Sequence, residues 1–153
     1  MERTANILDK IGSLIPGYIG YAERQGRRTS DKKLRDTIVS KMNLIEKEIQ
    51  AKIDTAISNK DTVLMNALET CRKKLNTLKS KIEYAPYGES ALFSDKQIKE
   101  DELQHIYTLD FELADKTTAF TLSVVDPGPE YIHKKITDIE NIFEKRSQYI
   151  KQF

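Results

Sequence analysis

Two Glu-x-x-His motifs are the residues of this chain that could bind a metal ion. Glu102 precedes His105 by three residues, and Glu130 precedes His133 by the same interval. In helical carboxylate proteins, two such motifs and two further glutamates hold a pair of iron ions. Here the motifs are about 28 residues apart, at the starts of helices that we expect to be antiparallel. That places them ~35 Å apart, so the sequence predicts no shared metal site and no cofactor.

Asp110 is the carboxylate whose surroundings set it apart from the others. It follows Tyr107 by three residues and lies beside an apolar seam, near Leu103. It could be an acid in a cleft or a buried structural carboxylate. We favour the structural interpretation, because a carboxylate away from water needs a compensating partner. Arginine offers a rigid two-pronged donor, and we predict an ion pair with Arg35 or Arg28.

The usual arrangements of catalytic residues are not recognisable in the sequence. No serine, cysteine or threonine has a base at a known spacing, and no glycine-rich loop could hold a phosphate group. Carboxylates are numerous, but on helices they usually form a solvated face. The sequence therefore predicts a protein that is not an enzyme and gives no evidence of a small-molecule substrate.

Residues 24–35 form a strongly basic stretch, with six basic side chains and one acidic side chain. Two tyrosines precede it. Basic helices with aromatic residues can bind nucleic-acid phosphates or an anionic membrane surface. In the alternative interpretation, Arg27, Arg28 and Arg35 are divided between solvent and buried carboxylates. The sequence favours neither interpretation over the other.

Apolar residues at intervals of three and four indicate that helices position all of these groups. The clearest seam consists of Leu64, Leu68, Cys71, Leu75, Leu78 and Ile82. The pattern predicts helices over about residues 2–14, 17–59, 62–83, 95–125 and 129–152. Asp61 is the expected N-cap of the third helix. The second helix has an alternative, a break between Gly26 and Ser30 with Ser30 as a new N-cap.

Four long helices joined by short turns predict an all-α fold. We expect an up-down-up-down four-helix bundle, similar to an antiparallel coiled coil, with a short additional N-terminal helix. Residues 1–153 would form a single domain. Residues 17–36 should extend ~30 Å beyond the third helix, beside the loop at 84–94. We expect this loop to pack against the bundle, with Leu92 and Phe93 largely buried.

The composition agrees with helices that each have one wet face. Apolar residues make up 39% and charged residues 32%, and the formal charge of +1 gives no global reason to bind nucleic acid. The single cysteine, Cys71, allows no intrachain disulfide, in agreement with a reducing compartment. The sequence shows neither a signal peptide nor a transmembrane run. We therefore expect a cytoplasmic protein.

Two stretches of the chain resemble a prokaryotic family of all-helical proteins. The first is the opening Ile15-Pro-Gly-Tyr-Ile-Gly-Tyr21, followed by Glu23, Arg27-Arg28, Asp31 and Leu34-Arg35. The second is Tyr84-Ala-x-Tyr-Gly88, followed by Leu92-Phe93, Asp101, Leu103, Tyr107 and Asp110. The resemblance implies an all-helical protein and carries no known activity, cofactor or substrate. The Glu-x-x-His motifs are not part of the family pattern.

The basic segment and its neighbouring tyrosines suggest an interaction or scaffold module. We expect a protein partner, or self-association, at the end formed by residues 17–36 and 84–94. The alternative is peripheral binding of an anionic membrane surface or nucleic acid by the basic segment 24–35. The candidate binding residues are Tyr18, Tyr21, Arg24, Arg27, Arg28, Arg35, Tyr84 and Tyr87.

Overall fold

The computed structural model describes residues 2–85, 96–123 and 128–153. These residues form five helices, which are α1 (Glu2–Leu14), α2 (Arg24–Ser58), α3 (Thr62–Glu83), α4 (Glu100–Ser123) and α5 (Pro129–Lys151). Within those three ranges the structure contains no β-strand. The prediction of an all-α protein is confirmed.

A tight turn joins α2 to α3. Lys60 lies in the left-handed region, with φ of 57°. The side chain of Asp61 then accepts a hydrogen bond of 3.1 Å from the backbone N–H of Leu64. Asp61 is therefore the N-cap that the sequence predicts. The apolar seam of α3 faces inward from this cap, and its buried members are Leu68, Cys71, Leu75, Leu78 and Ile82.

The second helix begins later than predicted, at Arg24 and not at residue 17. Residues 15–23 are non-helical, and Gly17 and Gly20 have φ of 88° and 93°. A right-handed helix excludes these positive values, which glycine adopts readily. The alternative break between Gly26 and Ser30 does not occur, because α2 is continuous to Ser58. With 35 residues against 22 in α3, α2 is longer by ~20 Å.

The fourth helix also begins later than predicted, at Glu100 and not at residue 95. Residues 96–99 are non-helical. The backbone N–H of Lys99 donates to Oε1 of Glu102 at 3.0 Å, a hydrogen bond across the first turn. The helix ends at Ser123, and residues 124 and 125 of the predicted helix lie outside the described residues. The fifth helix begins at Pro129, where the missing N–H of proline is no loss.

The core lies between α2, α3, α4 and α5. Helix α2 packs against α3 and α4, α5 packs against the same two helices, and α1 packs against α4. Fully buried aliphatic side chains from each of the four long helices meet there, and they include Leu34, Ile38, Ile45, Ile49, Leu75, Leu78, Ile106, Leu113, Ile132 and Ile136. Cys71 also lies in the core.

Most of the loop predicted at 84–94 lies outside the described residues. Tyr84 is 76% exposed, and the predicted burial of Leu92 and Phe93 concerns residues outside the described ranges. None of the helices in the described part of the chain is both long enough and apolar enough to cross a membrane.

Candidate functional site

Asp110 lies at the centre of a buried polar network. Its side chain is fully buried and accepts three hydrogen bonds. Oδ2 accepts from the hydroxyl groups of Tyr18 at 2.6 Å and Tyr21 at 2.5 Å. Oδ1 accepts from Nε of Arg146 at 2.5 Å. The carboxylate of α4 is thus joined to the segment before α2 and to α5.

Arg146 extends the network to a second carboxylate and then to α3. Its Nη2 donates to Oδ1 of Asp31 at 2.7 Å and to the hydroxyl of Tyr21 at 2.9 Å. Oδ2 of Asp31 accepts from Nε of Arg35 at 2.9 Å, and Nη1 of Arg35 donates to the carbonyl oxygens of Ile82 at 3.0 Å and Glu83 at 3.1 Å. Two carboxylates and two guanidinium groups alternate along this chain of contacts. Such pairing is what buried charges require.

The predicted ion pair between Asp110 and Arg35 is corrected by this arrangement. Arg35 lies one turn from Asp31 on α2 and pairs with it, and Asp110 pairs with Arg146 of α5. A signal for Arg146 is present in the sequence. On α5 it occupies the position between Phe143 and Ile150 where the three-and-four spacing calls for an apolar residue. A charge at such a position indicates a buried partner.

Ser30 holds the backbone of the segment that precedes α2. Its Oγ accepts hydrogen bonds from the backbone N–H groups of Ile19 at 3.1 Å and Gly20 at 2.8 Å, and it donates to the carbonyl oxygen of Gly20 at 3.1 Å. A Cβ atom on Gly20 would lie 2.6 Å from the hydroxyl oxygen of Tyr107. Only glycine therefore fits at this position.

Tyr21 is fixed at its backbone as well as at its hydroxyl. Its N–H donates to the hydroxyl of Tyr107 at 2.9 Å, and its carbonyl oxygen accepts from Nε of Arg27 at 3.0 Å. The rings of Tyr21 and Tyr107 stack with centroids 5.9 Å apart, and Tyr18 meets both rings edge-on. The segment is therefore held by both polar and aromatic contacts.

The environment of the network fixes the charge states of its tyrosines and of Arg146. Burial, and then the Asp110 carboxylate, raise the pKa of Tyr18 and of Tyr21 well above 10. Burial alone would lower the pKa of Arg146, but the neighbouring Asp110 raises it well above its ordinary value. In the described part of the chain, every buried side-chain nitrogen and oxygen has a hydrogen-bond partner. The phenols stay neutral and the guanidinium stays charged at physiological pH.

The residues of the predicted binding surface divide into two groups. Tyr18, Tyr21, Arg27 and Arg35 are buried in or beside the network. They therefore cannot line an exposed surface in this conformation. The exposed members are Arg24, Arg28 and Tyr84, and Tyr87 lies outside the described residues. One exposed residue at this end was missed by sequence reasoning, Ile19, whose side chain is 65% exposed.

The two histidines of the Glu-x-x-His motifs lie beside different parts of α5. The ring of His105 lies 4.1 Å from that of Tyr149, whereas Nε2 of His133 lies 3.4 Å from Nζ of Lys74. Tyr149 and His133 are 16 positions apart on α5, which is ~24 Å along the helix. In the described ranges, no group of three or more histidine, cysteine, aspartate or glutamate side chains is placed to hold a metal ion.

No protein-family model, no curated protein and no solved structure matches this chain. The resemblance to the prokaryotic helical family stays a prediction.

Proposed function

We propose that this protein is a non-catalytic helical interaction module that binds a protein partner at the end formed by the segment before α2 and the end of α3. The observation that carries the proposal is the position of Ile19. Its side chain is 65% exposed, while Tyr18 before it and Tyr21 after it are 6% and 0% exposed. An exposed isoleucine between two anchored tyrosines is presented outward at a fixed place.

Single exposed apolar side chains are common on protein surfaces and need no explanation by themselves. Ile19 differs because its backbone N–H is held by Ser30 and its side chain lies over the first turn of α2. A Cβ on Gly26 would meet the Ile19 side chain at 3.0 Å. An apolar group that is already ordered loses little entropy when a partner covers it. Tyr84, 76% exposed at the end of α3, offers a second anchor of the type enriched at interfaces.

We also propose that the chain belongs to the prokaryotic helical family that its sequence resembles. The residues that carry the resemblance coincide with the network, since Tyr18, Gly20, Tyr21, Arg27, Asp31, Arg35, Tyr107 and Asp110 all take part in it or contact it.

The directions of the four long helices are also part of the proposal. We propose that α2, α3, α4 and α5 form an up-down-up-down bundle. Three contacts support it. Arg35 near the start of α2 reaches the end of α3, Asp31 pairs with Arg146 near the end of α5, and His105 near the start of α4 lies against Tyr149 near the end of α5. A cytoplasmic location and the absence of catalysis are part of the same proposal.

The proposal is tested by comparing matched surface variants in a capture experiment. Wild-type protein and the variant Ile19→Ser are immobilised and exposed to a lysate, with Val63→Ser as the control. Val63 is 83% exposed at the first helical turns of α3, far along the chain from the candidate surface. We expect a partner that is retained by the wild type and by Val63→Ser and lost with Ile19→Ser. Equal retention by all three proteins would overturn the role of Ile19.

The alternative function, binding of an anionic surface, is favoured by one observation. Arg24, Arg28 and Lys32 are exposed and follow one another at intervals of four on α2, so they share a face of the helix. Against it, Arg27 and Arg35 are buried. Binding to vesicles rich in phosphatidylserine, or to a DNA duplex, that weakens steeply with added salt would support this alternative.

A further inference from the structure

We propose that α1 together with residues 15–23, here named the strap, opens as a unit from the rest of the protein while α2 to α5 stay folded. Opening would expose Asp110 and the ring of Tyr107, which the strap covers. The inference concerns the internal mechanics of the fold and does not rest on the proposed interaction function.

Helix α1 packs against fewer helices than any other helix of the described residues. Among the described residues, α1 packs against α4 alone, whereas each of the other four helices packs against at least two helices. The strap is anchored by the fully buried Ile11 and Ile15 and by its two tyrosines. Helix α1, with a single helical neighbour, has fewer helix–helix contacts to break than the helices of the core, and this is typical of the less stable parts of a structure.

The two ion pairs of Arg146 in the network are formed without the strap. The contacts of Arg146 with Asp110 and with Asp31 join α2, α4 and α5, and they involve no strap residue. When the strap leaves, Asp110 keeps its guanidinium partner, while Arg146 loses its hydrogen bond to the hydroxyl of Tyr21. Water can replace the two phenol hydroxyls at both groups. Opening therefore leaves no buried charge without a partner. Such a charge would make opening very costly in free energy.

Hydrogen bonds to α2 and α4 add to the apolar contacts that attach the strap. Its backbone is held by Ser30 and Arg27 of α2 and by the hydroxyl of Tyr107 of α4. Its tyrosine hydroxyls are held by Asp110. Hydrogen bonds are directional and are exchanged for bonds to water on release. The strap therefore docks in one position. When it leaves, water can form the hydrogen bonds that its polar partners lose.

Hydrogen exchange of the full-length protein, read by mass spectrometry, tests the proposal. In the wild type we expect the amides of α1 to exchange faster than those of α3, through an opening that depends less on denaturant. Replacing both Tyr18 and Tyr21 with Phe should accelerate α1 exchange by about tenfold or more. Exchange in α3 should change by less than about twofold.

The control is Tyr84→Phe, which removes the same hydroxyl from an exposed tyrosine and should alter neither helix. Equal acceleration of α1 and α3 in the double variant would show one cooperative unit and overturn the proposal. So would wild-type exchange of α1 at the rate and denaturant dependence of α3, a measurement that does not depend on the variant folding.

Discussion

The two halves of the core are packed by different kinds of side chain. Around α3, the interior is a seam of Leu68, Leu75 and Leu78 facing the aliphatic side chains of its neighbours. At the other end, Asp31, Asp110 and Arg146 occupy interior positions on α2, α4 and α5. Aliphatic seams tolerate changes that preserve volume. A charge network requires every partner to be present, so we expect it to define how the helices and the strap meet.

The largest expected effect comes from introducing the same residue into both regions. Arg146→Met removes the partner shared by Asp31 and Asp110 and should cost about 3–5 kcal/mol of unfolding free energy. Leu75→Met preserves volume in the seam and should cost less than about 1.5 kcal/mol. Urea unfolding of the two variants measures both values. Similar costs at the two sites would show that the comparison between the regions is mistaken.

The next effect in size is a loss of stability at alkaline pH. Tyr18 and Tyr21 have a pKa raised well above 10 in the folded protein by burial and by Asp110, whereas in the unfolded chain they ionise near 10. The folded state therefore holds more protons above pH ~10. Their contribution is complete below that pH and is lost as the pH rises, by about 1.4 kcal/mol per unit for each tyrosine.

Unfolding measured against pH, with tyrosinate absorbance as a second signal, checks this expectation. Replacing Tyr18 and Tyr21 with Phe should flatten the alkaline slope, although the variant starts from a lower stability. Ionisation of all the tyrosines at an ordinary pKa, with no unfolding, would contradict the buried hydrogen bonds of the network.

Two glycines sharpen the comparison within the strap itself. Gly20→Ala places a Cβ against the hydroxyl of Tyr107 in a backbone with φ of 93°, and we expect a loss of about 1–3 kcal/mol. Gly12→Ala meets nothing within 4 Å and lies inside α1, so it should stabilise by about 0.5–1 kcal/mol. Opposite signs in thermal unfolding would support the geometry of the strap. If Gly20→Ala left the stability unchanged, the described position of residues 15–23 would be wrong.

The smallest expected effect on stability is at the proposed contact residue. Ile19→Ser changes a side chain that is largely in solvent and should alter the unfolding free energy by less than about 0.5 kcal/mol. The same substitution should abolish capture of a partner. The two measurements together therefore distinguish a role of Ile19 in binding from a role in folding. A large destabilisation would mean that Ile19 packs as part of the fold.

Helix type and most of the helix ends could be read from the sequence because they depend on local patterns. The seam of α3, the cap at Asp61 and the start of α5 at Pro129 are examples. The start of α2 could not be read in this way. Residues 15–23 are held outside the helix by contacts with Ser30 and Tyr107, and Tyr107 is distant in the chain.

The candidate site was predicted in part for the same reason. Asp110 beside an apolar seam correctly indicated a buried carboxylate with an arginine partner. The choice among arginines depended on which helices become neighbours, and Arg146, on another helix, was overlooked although its place on the seam of α5 was visible. The tyrosines were predicted to be exposed because aromatic residues next to a basic stretch resemble a binding face.

The distance in sequence between Arg146 and its partners has a consequence for synthesis on the ribosome. Arg146 bonds Asp31 across 115 residues and Tyr21 across 125 residues. A chain that emerges from its amino end presents Asp31 and Tyr21 long before α5 exists. Until then, the carboxylates of Asp31 and Asp110 cannot pair with Arg146 and remain hydrated. Closure of such distant contacts is slow compared with helix formation, so completion of the native charge pattern waits for translation to pass residue 146.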